Sequence, residues 1–246
     1  PADLKGMAAT TDPAEIAKFS ALAAEWWNPK GPFGALHRMN PVRLQYIRDL
    51  ALRHFNTSAS KPLEHVKTLD LGCGGGLVSA PLARMGAKLT AIDASEEAIG
   101  AASAYADQAG LDIAFEATTA EALVERGETF EFVTALEIVE HVSDVGAFLS
   151  AGSALVAPSG VLVLSTINRT QKARALAIVG AERILKWAPE GAHDYEKLVT
   201  PEEIRAGAPE LQWDEPVGIS YQPLGQGWAL SSDISMNYMM AGAKAQ

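Results

Sequence analysis

The chain has 246 residues, 48% of them hydrophobic, and a formal net charge of −10. That length fits one domain, or one domain with a modest insertion, and the apolar fraction is ample for a core. The acidic balance excludes a general nucleic-acid binder, and no run approaches the roughly 20 apolar residues of a membrane span. A lone cysteine, Cys73, excludes an internal disulfide and suits a reducing compartment. No signal-peptide pattern marks the start, so a cytoplasmic setting is expected.

Residues 1–11 read as a loose tail. Asp12-Pro13-Ala14-Glu15 then reads as a capping box, with Asp12 as N-cap and Glu15 reaching back. Ile16, Phe19, Ala23 and Trp26/Trp27 follow at helical spacing. Adjacent tryptophans cannot share one helix face, so one of them is expected to meet a cleft or a lid. A second helix is expected from about Leu36 to Phe55, and it offers His37, Arg38 and Arg43 as partners for an anionic group. For Arg38, ordinary surface charge is an equal reading.

From Val66 the pattern alternates. Strands are expected at Val66–Leu71, Lys88–Ile92, Asp112–Glu116, Phe130–Leu136 and Val161–Thr166. Helices are expected at Leu77–Met85, Ser95–Ala109, Ala120–Arg126 and Val145–Val156. Alternation at this spacing implies a parallel sheet with helices on both faces, and ligands beyond the carboxyl ends of its strands. Gly72, Asp93 and Leu136 all fall at such ends, and Thr118 to Glu121 borders the same region. Residues 167–200 read as an insertion, Thr200-Pro201-Glu202-Glu203 as a second capping box, and Glu215 to Met240 as two strands joined by a Gly-rich turn.

The first strand runs into Gly72-Cys73-Gly74-Gly75-Gly76. Such a turn lets the backbone take positive φ and approach a ligand, with the next helix aiming its N–H groups at it. The dinucleotide fingerprint G-x-G-x-x-G would need a glycine where Leu77 stands. The register present, Asp70, Gly72, Gly74 and Gly76, resembles instead the S-adenosylmethionine (SAM) loop of class I methyltransferases. Asp93, at the tip of the second strand, is then placed to accept from both ribose hydroxyls.

After the fourth strand come Glu137, Glu140 and His141. If Glu137 opens a helical turn, the three share one side of it. They then suit a divalent ion, Mg²⁺ first, with Zn²⁺ or Mn²⁺ as options, that lowers the pKa of an attacking hydroxyl. His141 acting alone as general base is the second reading. Capping and solvation of a surface turn is the plain one. His193-Asp194 is more readily structural than catalytic. Gln171 to Trp187 reads as an amphipathic helix, with Ile178, Ile184 and Leu185 on its apolar face and Lys172, Arg183 and Lys186 opposite. Interfacial membrane binding and a core-packed lid are its two readings.

Together these stretches resemble the O-methyltransferases of ubiquinone biosynthesis. The likeness lies in Phe19 to Trp27, Leu36-His37-Arg38-Met39-Asn40-Pro41 with Arg43-Leu44, and Leu69 to Gly76. It continues through Glu137-x-x-Glu140-His141, Ser165 to Thr170, Ile178 to Glu182, Gly191-x-His193-Asp194 and Asp233-x-x-x-Asn237-Tyr238-Met239. It implies a Rossmann-like α/β fold with a mostly parallel, doubly wound, seven-stranded sheet and N-terminal helices over residues 1–60. The implied activity is SAM-dependent O-methylation of polyprenylated catechols. SAM would be held by Arg43, Gly72, Gly74, Asp93 and Leu136, a divalent metal by Glu137, Glu140 and His141, with Glu140 and His141 catalytic. Residues 168–187 would contact the inner membrane of a bacterium, alongside other enzymes of the pathway. Arg174, where the family commonly has an apolar residue, departs from the pattern, as does Tyr195, where another aromatic is common. A non-catalytic SAM- or lipid-binding role is the alternative from a different class.

Overall fold

The computed structural model describes residues 10–175, 195–222 and 227–246. Helices α1 (Pro13–Ala21) and α2 (Gly34–Phe55) precede strand β1 (Lys67–Leu71). There follow α3 (Ser79–Arg84), β2 (Lys88–Asp93), α4 (Glu96–Ala109), β3 (Ala114–Ala117), α5 (Ala120–Glu125), β4 (Phe130–Leu136), α6 (Val145–Ala154) and β5 (Val156–Ile167). A single turn, α7 (Gln171–Ala173), and a helix, α8 (Pro201–Gly207), lead to β6 (Leu211–Trp213), β7 (Val217–Gln222), β8 (Gly227–Ser231) and β9 (Asn237–Lys244).

The nine strands among the described residues join one sheet in the order β3-β2-β1-β4-β5-β9-β7-β8, with β6 beside β9. The first five are parallel, the arrangement that strands alternating with helices give. Strand β9 pairs antiparallel with β5, and β7 and β8 extend that edge as a hairpin. The sheet is thus wider than the seven strands expected. The additions are the three-residue β6 and a third strand where the region from Glu215 to Met240 was expected to hold two. The chain reverses direction across the sheet between β1 and β4, and that reversal opens a crevice beyond their carboxyl ends.

Side chains of β5 divide by a period of two. Leu162 and Leu164 pack with Phe148, Leu149 and Ile204 on the α6–α8 side. Val161 and Val163 pack with Ile47, Leu50 and Leu63 on the α2 side. Ser95 caps α4 by accepting from Ala98 N, and Thr200 and Glu203 form the expected box at α8. At α1, Asp12 accepts from Ala14 N as expected, but Glu15 does not reach back. No described helix is long and apolar enough to cross a membrane. The apolar face expected at Ile178, Ile184 and Leu185, and the His193-Asp194 pair, lie outside the described residues.

Candidate active site

Strand β1 ends in a turn with left-handed backbone at Gly72, Gly74 and Gly76 (φ 72°, 51° and 84°). Gly72 N and Cys73 N both donate to Ile92 O of β2. Gly74 N donates to Asp93 Oδ2 and Ser95 N to Asp93 Oδ1, each at 2.9 Å. Each oxygen keeps a second lone pair, so Asp93 braces the turn and can still accept from a diol. A Cβ at Gly72 would fall 1.9 Å from Ile138 Cδ1, so the start of the turn admits no side chain. Trp27 Nε1 donates to Gly75 O at 2.9 Å and its indole stacks on Tyr105, while Trp26 packs on the turn itself. Both tryptophans therefore serve the Gly-rich loop. Asp70 lies beneath it, fully buried, accepting from Ser79 Oγ (2.6 Å) and Thr134 Oγ1 (2.8 Å). Burial raises its pKa against those bonds. Burial likewise lifts the Cys73 thiol well above its ordinary range, which leaves it unreactive.

The acidic stretch after β4 departs from the expected helical turn. Glu137 has φ 52°, and the 3₁₀ turn begins only at Val139. That left-handed residue turns the Glu137 carboxylate back over the sheet. There Oε1 accepts from Ser165 Oγ at 2.7 Å and lies 3.9 Å from a terminal nitrogen of Arg43, while Oε2 accepts from Asn237 at 3.4 Å. Glu140 is buried, and its Oε2 has no hydrogen-bond partner. Burial first, and the Glu137 charge second, hold its pKa well above the carboxylate range. His141 faces elsewhere: Nδ1 lies 2.9 Å from Glu15 Oε2 on α1, and the ring meets Phe19 edge-on.

Glu137, Glu140 and His141 are therefore not gathered as the expected metal-ligand set. Among the described residues no group of three His, Cys, Asp or Glu side chains is placed to hold a metal. Among the described residues the arrangement as it stands does not fit a three-ligand divalent site.

A cavity of about 760 Å³ joins these parts. Gly72, Gly74, Asp93 and Leu136 line one end, and Glu137, Glu140 and His141 lie beyond them. Phe19, Leu22, Ile138, Val142, Ile167, Met236 and Trp228 supply apolar walls. Of the three proposed anion partners only Arg43 lines the cavity. His37 Nε2 instead bonds Trp26 O at 2.8 Å, and Arg38 stands outside the lining. Arg43 is buried, with NH2 donating to Asn40 Oδ1 at 3.1 Å and Nε lacking a partner. An orphan guanidinium N–H in a cavity fits an anionic ligand group, and the Gly-rich turn and Asp93 fit its nucleoside end. Glu121 does not line the cavity: it accepts from Thr10 N and Oγ1 and pins the segment that leads into α1. Sequence reasoning missed Glu15, assigned there to a cap, and Ser165 and Asn237 as partners of Glu137. Both of the latter carried a signal only as parts of a family motif.

Residues 15–205 match a methyltransferase-domain family. The ubiquinone biosynthesis O-methyltransferase of Rhizobium johnstonii is 49% identical over 240 residues, 96% of this chain and 97% of that protein. The protein of the same name from Parvibaculum lavamentivorans is 46% identical over 246 residues, covering 98% and 97%. Among solved structures, the magnesium protoporphyrin IX methyltransferase of Synechocystis with bound SAM superposes with a TM-score of 0.61. It is 17% identical and the match covers 97% of this chain and all of that one, a likeness of fold. The Gly-rich turn, its bracing Asp93 and this full-length likeness agree: the chain belongs to the ubiquinone biosynthesis O-methyltransferase family of SAM-dependent methyltransferases.

Proposed function

We propose that this chain transfers a methyl group from SAM to a phenolic oxygen of polyprenylated catechols, 2-polyprenyl-6-hydroxyphenol and 3-demethylubiquinol, in ubiquinone biosynthesis. The observation that carries the reading is the continuity of one cavity from the Gly72–Gly76 turn to His141, through walls apolar enough for a prenylated ring. Bound SAM supplies a methyl carbon already activated by its sulfonium. In this reading the Arg43 guanidinium holds the cofactor carboxylate and Asp93 the ribose hydroxyls. The apolar walls exclude water and align the ring. His141 takes the phenolic proton at Nε2 as the new O–CH₃ bond forms. The C–S bond breaks with its electron pair passing to sulfur, leaving a neutral thioether.

A single domain accommodates this activity, with an N-terminal helical cap and an insertion over 167–200 whose residues 176–194 lie outside the described ones. A cytoplasmic enzyme held peripherally at a bacterial inner membrane, beside other enzymes of the pathway, suits a substrate with a long apolar tail. The partnerless Glu140 Oε2 favours a second reading, in which a divalent ion joins the carboxylates on substrate binding. The deciding assay supplies the purified protein with SAM and a short-chain prenyl catechol. S-adenosylhomocysteine and methylated catechol in equal amounts are expected. A rate abolished by chelator and restored by Mg²⁺ selects the metal reading, and no turnover on either catechol refutes the function.

A further inference from the structure

We propose that the β7–β8 hairpin carries the subsite for the isoprenoid tail of the substrate: the first isoprene units leave the cavity along the hairpin face that bears Tyr221 and Trp228. The inference rests on the reading of the substrate as a prenylated catechol.

The hairpin stands beyond the sheet on the side where the cavity lies. Strand β7 pairs with β9 only over Val217–Ile219. The partner of Ile219 is Asn237, the first residue of β9, which in turn faces Ile167, the last of β5. From Ser220 on, β7 pairs with β8 alone, so the hairpin runs about 10 Å past the carboxyl end of β5. Ile219, Trp228 and Leu230 pack in the cluster that holds Val42 and Tyr46 of α2. Tyr221 lies opposite Trp228 in the ladder, with ring centres 5.6 Å apart, and so shares that face. Ile219, Tyr221 and Trp228 all line the cavity. Tyr221 is 49% exposed, and among the described residues it is the one large apolar side chain to stand so open.

Size and charge assign the tail to this face. A cavity of about 760 Å³ is of the size that encloses small molecules. The cofactor and the ring take up that space, so a tail of several isoprene units has to run out past one wall. The wall at α1 and α7 carries Asp12, Glu15, Lys18, Lys172 and Asp233. Ion pairs join Lys172 to Asp233 at 2.6 Å and Lys18 to Glu15 at 3.7 Å. Hydrocarbon laid over those charges would strip water from them. The hairpin has no charged residue from Val217 to Ser232. The Asp233 main chain lies on its other face: a Cβ at Gly218, which points away from the Ile219 side, would fall 2.0 Å from Asp233 O. An open aromatic pair continuous with an apolar cavity wall fits an isoprenoid chain, whose branched units pack on ring faces.

The test compares the wild type with Tyr221→Ala, Tyr221→Asp and Trp228→Ala on two substrates, a short-chain prenyl catechol and the same catechol with a methyl group in place of the tail. The quantity read is the ratio of their kcat/KM values. We expect the wild type to favour the prenyl compound, each alanine variant to lower that ratio by about tenfold, and Tyr221→Asp to lower it further. Trp228 also supports the core around α2, so a second measurement needs no variant to fold. A prenyl catechol with a diazirine on its first isoprene unit, photolysed in the wild-type protein with S-adenosylhomocysteine, should label Tyr221 or Trp228. A ratio that stays at the wild-type value in the Tyr221 variants, or label found only elsewhere in the chain, overturns the subsite. If the wild type methylates both compounds with no preference for the tail, the subsite falls while the proposed function stands. Turnover of neither compound removes that function, and the subsite with it.

Discussion

Trp26 packs directly on the main chain of the Gly-rich turn: a Cβ on Gly75 would fall 2.2 Å from Trp26 Cγ, and one on Gly74 2.5 Å from Cη2. The indole also stacks on Phe33 with ring centres 3.7 Å apart, so it cannot easily withdraw. The residues before α2 thus form a lid over the loop that the resemblance assigns to the cofactor.

Gly75→Ala tests that contact. Gly75 does not have positive φ, so the added methyl acts through collision alone. We expect a loss of about 1–3 kcal/mol in stability, the usual range for overpacking. Trp26→Ala alone should cost about 3–5 kcal/mol. Combined in one chain, the two should cost clearly less than their sum, because removal of the indole makes room for the methyl. Denaturant unfolding of the four proteins measures this, and strict additivity would contradict the packing.

Asp93→Asn should weaken SAM binding by about tenfold or more, equivalent to about 1.4 kcal/mol. Its carboxylate takes N–H groups from Gly74 and Ser95 at once, and an amide must turn its NH₂ toward one of them. Calorimetry reads the affinity, and an unchanged Kd would show that Asp93 only braces the turn.

Arg43→Lys keeps the charge but loses the planar fork. Because Nε is the donor without a partner, the change should weaken SAM while leaving 5′-methylthioadenosine, which lacks the carboxylate, bound as before. Equal weakening of both ligands would mean that Arg43 serves the fold rather than the cofactor.

Glu140 makes a prediction about stability and pH. Burial and the neighbouring Glu137 push its pKa from 4.5 to about 8. The folded state then binds the proton more tightly than the unfolded state. Its contribution is fully present below pH 4.5 and is lost as pH rises through about 8. Wild-type stability should fall across that window, at most by about 1.4 kcal/mol per pH unit from this group. Glu140→Gln should flatten the fall. It will not abolish it, since Asp70 and Asp93 are raised in the same direction. Denaturant midpoints measured between pH 5 and 8 check this, and parallel curves for the two proteins would contradict it.

The cofactor end of the site was legible because its chemistry is local. A glycine run after an apolar strand, and an acid ending the next strand, need only turn geometry and strand order to meet, and Gly74 and Asp93 do meet. The acidic end was not. Its shape depends on one left-handed residue, Glu137, a conformation that no propensity assigns to a glutamate, and this scattered the expected ligand trio. Glu15 was misread for a related reason. Its position three residues after Asp12 satisfies the capping rule, but a partner 126 residues away competes for its carboxylate, and no periodicity signals such a pairing. The sheet shows the same division. Its parallel half follows from alternating strands and helices, whereas the antiparallel edge of β6 to β9 is set by tertiary pairing with β5.

The central claim is that one cavity holds the sulfonium nucleoside and the phenol side by side. Calorimetric titration of S-adenosylhomocysteine into the protein, followed by a soluble prenyl catechol into the saturated complex, tests it most directly. The account predicts saturable binding of each at a single site, with the catechol bound in the presence of the nucleoside. No affinity for the nucleoside, or its displacement by the catechol, would contradict it.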